Sequence, residues 1–296
     1  MFDQVVICDW SAAATPKLGS DSIWIASALR GARSLPAAVN LPTRAAAVEY
    51  LAAVIDAAVA AGRRVFLGVD FSLGYPAGYA ALLAPFNPPV APPWRQVHVV
   101  TAGLLRDGPR NANNRFEVAD AINTATQTAL FWGRPRSNRH EHLHALNPTK
   151  AVPQGFSPNP LEPFRLTERT LGRPIGTNWQ LLGVGSVGSQ VLTGIWAIEQ
   201  LRKLVPELAL WPLETGLGCP DARRVVLAET WPPLFCKPVR GLGIRDEQQV
   251  LGTAHVLTAA SVQQWRDWLA PERIAALDLG LRQTVLCEEG WMFGVA

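Results

Sequence analysis

Val5-Val6-Ile7-Cys8-Asp9-Trp10-Ser11 runs four apolar residues into one carboxylate and then a small polar residue. A short, unbroken apolar run of this kind suits a strand buried on both faces, as in a parallel sheet. Such a strand delivers Asp9 to its carboxyl end. Val65-Phe66-Leu67-Gly68-Val69-Asp70-Phe71-Ser72 repeats the design, and Val225-Val226-Leu227-Ala228-Glu229-Thr230 resembles it. Side by side and parallel, the three strands gather Asp9, Asp70 and Glu229 at one edge. Carboxylates so close repel one another, and a cation is what neutralises them. A lone Asp after a strand often just caps a helix or opens a turn. The repetition carries the reading.

Working outward, residues 22–28 alternate well enough for a second strand, and a short third strand is expected near Ser34–Val39. Thr43 caps a helix that ends at Gly62, and residues 64–70 form the fourth strand. An order β-β-β-α-β, with acids on the first and fourth strands, is the opening of a ribonuclease-H-like fold. Further on, the sequence predicts a helix over Ser189–Val205, a fifth strand over 223–230 and a helix over Arg245–Ala260. A last helix over 261–277 and a hairpin around Glu289-Gly290 complete the expectation. The predicted fold is α/β, with a mixed five-stranded sheet, helices on both faces and a large insertion. Residues 1–73 and 178–296 form the core, and 74–177 the insertion or lid. Within the insertion a helix is expected at Phe116–Asn123, and five prolines between 147 and 163 read as extended chain.

Composition narrows the class. Charged residues are 17%, well under the usual ~25%, while Pro (24) and Trp (11) are abundant. That pairing predicts an ordered protein with rigid loops, and the apolar fraction excludes a disordered chain. A net charge of +3 permits a polyanionic partner without the basic stripe of a dedicated duplex binder. Cys8, Cys219, Cys236 and Cys287 have no metal-ligand spacing, and nothing implies disulfides. The start lacks a basic, cleavable leader, and the Ala-rich segment 45–61 is interrupted by Glu49 and Asp56. The expectation is a cytoplasmic protein with no membrane partner.

Four motifs carry chemistry. Asp246, in the first turn of its helix, joins the strand-end acids as a possible fourth carboxylate or serves the helix dipole. Gly183-Val184-Gly185-Ser186-Val187-Gly188-Ser189 fits G-x-G-x-x-G. It lacks the preceding strand and following acid of a dinucleotide site, but a Gly-rich turn opening a helix can hold a phosphate, which brings in Gly185, Ser186 and Ser189. Arg134 and Arg136 offer guanidinium forks beside His140, His142 and His144, in a segment that also reads as solvated loop. Asn114, Arg115 and Glu117, with Phe116 and Trp132 nearby, suit the wall of a pocket for a planar ring. No G-x-S-x-G elbow supports a serine hydrolase.

Asp9, Val69-Asp70-Phe71-Ser72-Leu73-Gly74-Tyr75-Pro76, Glu229-Thr230-Trp231-Pro232-Pro233 and Arg245-Asp246-Glu247-Gln248-Gln249-Val250-Leu251 together resemble the DUF429 group of predicted ribonuclease-H-like nucleases. The resemblance covers both ends of the core, about half the chain. Two positions depart from the group's pattern: Trp231 replaces a Tyr, and Gln249 stands where a second helix Asp is often found. Asn114–Ala119, Phe131-Trp132-Gly133 and Gly183–Gln190 also look like a bacterial subgroup linked to molybdopterin or cobalamin synthesis.

The leading expectation is a divalent-metal-dependent hydrolase, a nuclease or phosphodiesterase acting on a nucleic acid or nucleotide-like substrate. Mg²⁺ or Mn²⁺ would be held by Asp9, Asp70 and Asp246, with Glu229 completing the catalytic set. Ser11, Ser72, Asn114, Arg115, Glu117, Arg134, Arg136, Gly185, Ser186 and Ser189 would contact substrate. Two alternatives stand beside it. One is an actin-like or sugar-kinase-like nucleotide-binding phosphotransferase or ATPase, which would usually carry two copies of the core. The other is a non-catalytic small-molecule binder.

Overall fold

The computed structural model describes all residues except 33–36, 173–174, 219, 221–223, 240–242 and 296. Cys219, the start of the expected third strand, residue 223 and the turn at 240–242 therefore lie outside the described residues. In chain order the elements are β1 (Gln4–Asp9), β2 (Ile23–Leu29), β3 (Ala37–Leu41), α1 (Arg44–Ala60) and β4 (Val65–Val69). Then come α2 (Tyr79–Leu82), α3 (Pro93–Leu104), α4 (Arg115–Thr126), β5 (Thr128–Ala129), β6 (Ser157–Pro158) and α5 (Leu166–Leu171). The chain closes with α6 (Gly188–Leu204), β7 (Leu208–Trp211), β8 (Val225–Glu229), α7 (Arg245–Ala259), α8 (Val262–Leu269), α9 (Glu272–Ala275) and α10 (Leu279–Thr284).

The main sheet has six strands in the order β3-β2-β1-β4-β8-β7. β1, β2 and β3 form an antiparallel meander, whereas β4, β8 and β7 run parallel to β1. Five strands were expected. The additional one, β7, is only Leu208-Ala209-Leu210-Trp211, too short to stand out between a helix and Pro212, yet it is wholly buried at the far edge. Parallel pairing to β8 decides its state, because a four-residue apolar run is ambiguous on its own.

Alternation along β1 divides the core. Val6 and Cys8 face a cluster shared with α1 and α6, and Val5 and Ile7 face one shared with α7 and α8. Helices thus cover both faces. α1 starts where its cap was expected, with Thr43 Oγ1 accepting from the Ala46 N–H at 3.2 Å. Residues between β4 and α6 do not hang off the sheet. Tyr75, Tyr79, Trp94, Phe116, Phe131 and Trp179 pack into the same apolar cluster as α1 and α6. Among the described residues no helix is long and apolar enough to cross a membrane.

The tail differs from expectation. Pro271 breaks the single helix expected over 261–277 into α8 and α9, since proline cannot donate within a helix. In place of a hairpin, Val285–Glu289 is a π-helical turn, and Phe293 bridges in parallel to Thr230 beside β8.

Candidate active site

The carboxyl ends of β1, β4 and β8 open into one cavity of about 960 Å³. This is where ligands sit in open α/β sheets. Asp9, Ser11, Asp70, Ser72, Arg115, Gly185, Ser186, Ser189, Glu229 and Asp246 all line it, so ten of the expected residues meet around one space. Asn114, Glu117, Arg134 and Arg136 do not. Asn114 instead ties α4 to the end of α3, its Oδ1 accepting from the Arg106 N–H at 2.7 Å and its Nδ2 donating to Leu104 O at 3.0 Å. Arg134 donates to Pro135 O, and Arg136 is exposed.

Register sets the acids. Cys8 pairs with Val69, so Asp9 and Asp70 come next at the same level on adjacent parallel strands. Their carboxyls form a hydrogen-bonded pair. Burial, then the neighbouring Asp70 and Asp246 charges, raises the Asp9 carboxyl well above the usual range. Burial also pushes the Asp70 carboxyl up to about 7, against the pull of the Trp10 N–H that donates to its Oδ1 at 2.7 Å. The pair therefore retains a proton that either acid alone in water would shed.

Glu229 does not join them. It pairs with Val69, one residue short of Asp70, and alternation turns it to the opposite face of the sheet. There it meets Arg165, which is fully buried and donates from Nη1 to Oε2 at 2.8 Å and from Nη2 to Oε1 at 2.7 Å. Glu168, three residues on, takes the remaining side of the guanidinium. Burial works against the Arg165 charge, but Glu168 and Glu229 outweigh it and hold the group protonated. Glu229 is thus a structural partner of a buried cation.

Asp246 opens α7 across the cavity, where its Oδ2 accepts from the Asp21 N–H at 2.6 Å. Burial raises its carboxyl too. Among the described residues no group of three or more His, Cys, Asp or Glu side chains is placed to hold a metal ion. The expected three-carboxylate centre of Asp9, Asp70 and Asp246 is, in this geometry, the Asp9–Asp70 pair with Asp246 in electrostatic reach. Gln249, one turn after Asp246, is buried in the same wall where a further acid was looked for.

Arg115 brings a buried cation to the cavity lining. Arg115, nine-tenths buried, donates from Nε to Ser189 Oγ at 2.9 Å and from Nη1 to Asn113 Oδ1 at 2.9 Å. Burial and the nearby Arg44 bring its pKa down to about 10, so it remains charged at neutral pH. Ser189 lies in the first turn of α6, whose positive dipole end faces the cavity. Gly183 (φ +114°) and Gly185 (φ +74°) take left-handed conformations that shape the turn before it. A Cβ on Gly188 would stand 2.3 Å from Asn178 O, which fixes glycine at the helix start. Gln190 Nε2 donates to Trp10 O at 2.6 Å and binds α6 to the exit of β1.

Sequence reasoning missed Arg165, Glu168 and Gln190. The i,i+3 spacing of Arg165 and Glu168 was a visible signal, but it lay at the end of a Pro-rich stretch read as a lid. No family model, curated protein or solved structure matches this chain.

Proposed function

We propose that this cavity is the active site of a divalent-metal-dependent phosphodiesterase built on a ribonuclease-H-like core. A three-strand meander, a crossover helix and parallel following strands support that assignment of the core. The observation that carries the chemistry is the buried, proton-retaining Asp9–Asp70 pair in the lining of a cavity that Arg115 and the first turn of α6 also line. Two carboxyls that share a proton are a fit for a cation, which replaces the proton and relieves the repulsion. Mg²⁺ and Mn²⁺ need few protein ligands and keep several waters. Asp9 and Asp70 would hold the ion, with Asp246 adding negative potential from α7. When bound, such an ion supplies an activated water and stabilises charge on a phosphoryl oxygen.

The protein's own groups do the rest. The Trp10 N–H fixes the orientation of Asp70. Arg115 and the first turn of α6 neutralise phosphate oxygens. Ser189 keeps Arg115 aimed, since its hydroxyl accepts from Nε and donates to Leu181 O at 2.6 Å. A volume of about 960 Å³ accommodates a nucleotide or a short backbone segment.

The test is calorimetric titration of Mn²⁺ into wild type and Asp9→Asn, followed by assay of phosphodiester cleavage. The proposal expects binding in wild type, its loss in the variant, and cleavage that requires both the metal and Asp9. A nucleotide-binding phosphotransferase is the second reading, favoured by the Gly-rich turn that lines the cavity. It predicts that an ATP analogue binds Asp9→Asn nearly as well as wild type, with no metal binding in the absence of nucleotide.

A further inference from the structure

α7 brings Arg245, Asp246 and Gln249 to the cavity. Arg245 and Gln249 are four residues apart and share a face of the helix. Asp246 is engaged by the Asp21 N–H, and its charge is offset by Arg245 and Lys17. The other two side chains have no such engagement. Arg245 is exposed and, among the described residues, makes no hydrogen bond or ion pair. Its five N–H donors are all available. The Gln249 amide makes no hydrogen bond among the described residues either. The Thr253 hydroxyl, one turn on, is unpaired too but sealed from any ligand. Both amide atoms of Gln249 keep accessible surface, in a residue that is only 8% exposed and lines the cavity.

Nothing local calls for a cation at this place. Arg245 is the first residue of α7, and a positive charge in the first turn opposes the helix dipole. That charge reaches Asp9, where it works against burial, Asp70 and Asp246. Arg115, by contrast, is already committed to Ser189 and Asn113. Burial apart, the charges acting on it come from Arg44, Asp107 and Glu117. Resting on the phosphodiesterase reading, we infer that Arg245 and Gln249 form a phosphate clamp on α7. The guanidinium fork takes the two non-bridging oxygens of the substrate's phosphate beside Asp9, and Gln249 Nε2 donates to the same anion.

The test reads one residue at a time. Phenylglyoxal modifies accessible guanidinium groups, and mass spectrometry of the digested full-length chain locates the adducts. Inorganic phosphate at about ten times its Kd should slow modification of Arg245 roughly tenfold. Arg136, exposed and outside the cavity, is the internal control and should be unaffected. In Gln249→Leu, protecting Arg245 should need about tenfold more phosphate. Calorimetry of Mn²⁺ on Arg245→Gln supplies the other arm. Affinity should be kept or increased, because a positive charge near Asp9 has gone, and Tm should hold, because Arg245 has no partner to lose. A merely structural role would lower Tm and Mn²⁺ affinity together. Equal phosphate protection of Arg245 and Arg136 in wild type overturns the inference, and so does unchanged protection in Gln249→Leu. Phosphate protection of Arg245 in a wild type that binds no Mn²⁺ overturns the metal-dependent reading instead, and leaves the clamp as the phosphate site of another activity.

Discussion

Replacing Asp9 with an asparagine should make the metal-free protein more stable at alkaline pH, although it destroys the proposed site. The folded protein pushes the Asp70 carboxyl from 3.8 to about 7. It therefore binds a proton that the unfolded chain releases near pH 4. The stability linked to that proton is fully present below the ordinary aspartate range and is lost as pH rises toward 7. Each pH unit across the window is worth about 1.4 kcal/mol for one proton. Ionising Asp70 by pH 8 thus costs the fold about 4 kcal/mol. Burial of Asp70 persists in Asp9→Asn, but the variant removes the Asp9 carboxyl, which burial and then the Asp70 and Asp246 charges raise well above its ordinary range, so the cost of ionising that group disappears. With an unfolding entropy of about 2.1 cal/mol/K per residue over 296 residues, a cost of about 4 kcal/mol corresponds to about 6 °C in Tm. The assay is thermal unfolding in a chelating buffer from pH 5 to pH 8. Wild type and Asp9→Asn should coincide near pH 5 and diverge by several degrees at pH 8, with the variant higher. Added Mn²⁺ should raise only the wild-type Tm. Parallel curves, or a variant that is less stable at pH 8, would refute the shared-proton account.

Arg165→Met leaves Glu168 and Glu229 buried without their cation, a loss of about 3–5 kcal/mol measurable by urea unfolding. Adding Glu168→Gln and Glu229→Gln should restore most of it, and if the triple variant is no more stable than the single one, the charge argument fails. Gly188→Ala drives a Cβ to 2.3 Å from Asn178 O and 2.7 Å from Gln180 O, and is expected to cost about 1–3 kcal/mol. It should also weaken inorganic phosphate binding more than Mn²⁺ binding, since it displaces the first turn of α6 and leaves Asp9 and Asp70 in place.

Much of this protein was legible in the chain itself. Val5–Cys8 and Val65–Val69 are apolar runs rich in β-branched residues, and an acid directly after each marks the strand's end. The cap at Thr43, the Gly-rich turn before α6 and the start of α7 at Arg245 depend on neighbours within a few residues. Local chemistry of that kind is written in order along the sequence. The β-β-β-α-β opening and the meeting of Asp9 with Asp70 followed from it.

What tertiary structure alone decided is which face each acid takes and who meets it there. A pleat alternates with every residue, so pairing Glu229 with Val69 instead of Asp70 moves it to the other face and away from Asp9 and Asp70. Register is a property of two strands, and neither contains it. The cation that receives Glu229 comes from Arg165, 64 residues earlier, and neither segment by itself indicates that the two meet. Asp246 likewise reaches Asp21 across 225 residues because α7 packs over β1 and β2. Strand identity was encoded by composition at short range. The division of the carboxylates into a proton-sharing pair and a guanidinium-bound pair was fixed by long-range packing, where burial and contact set each charge.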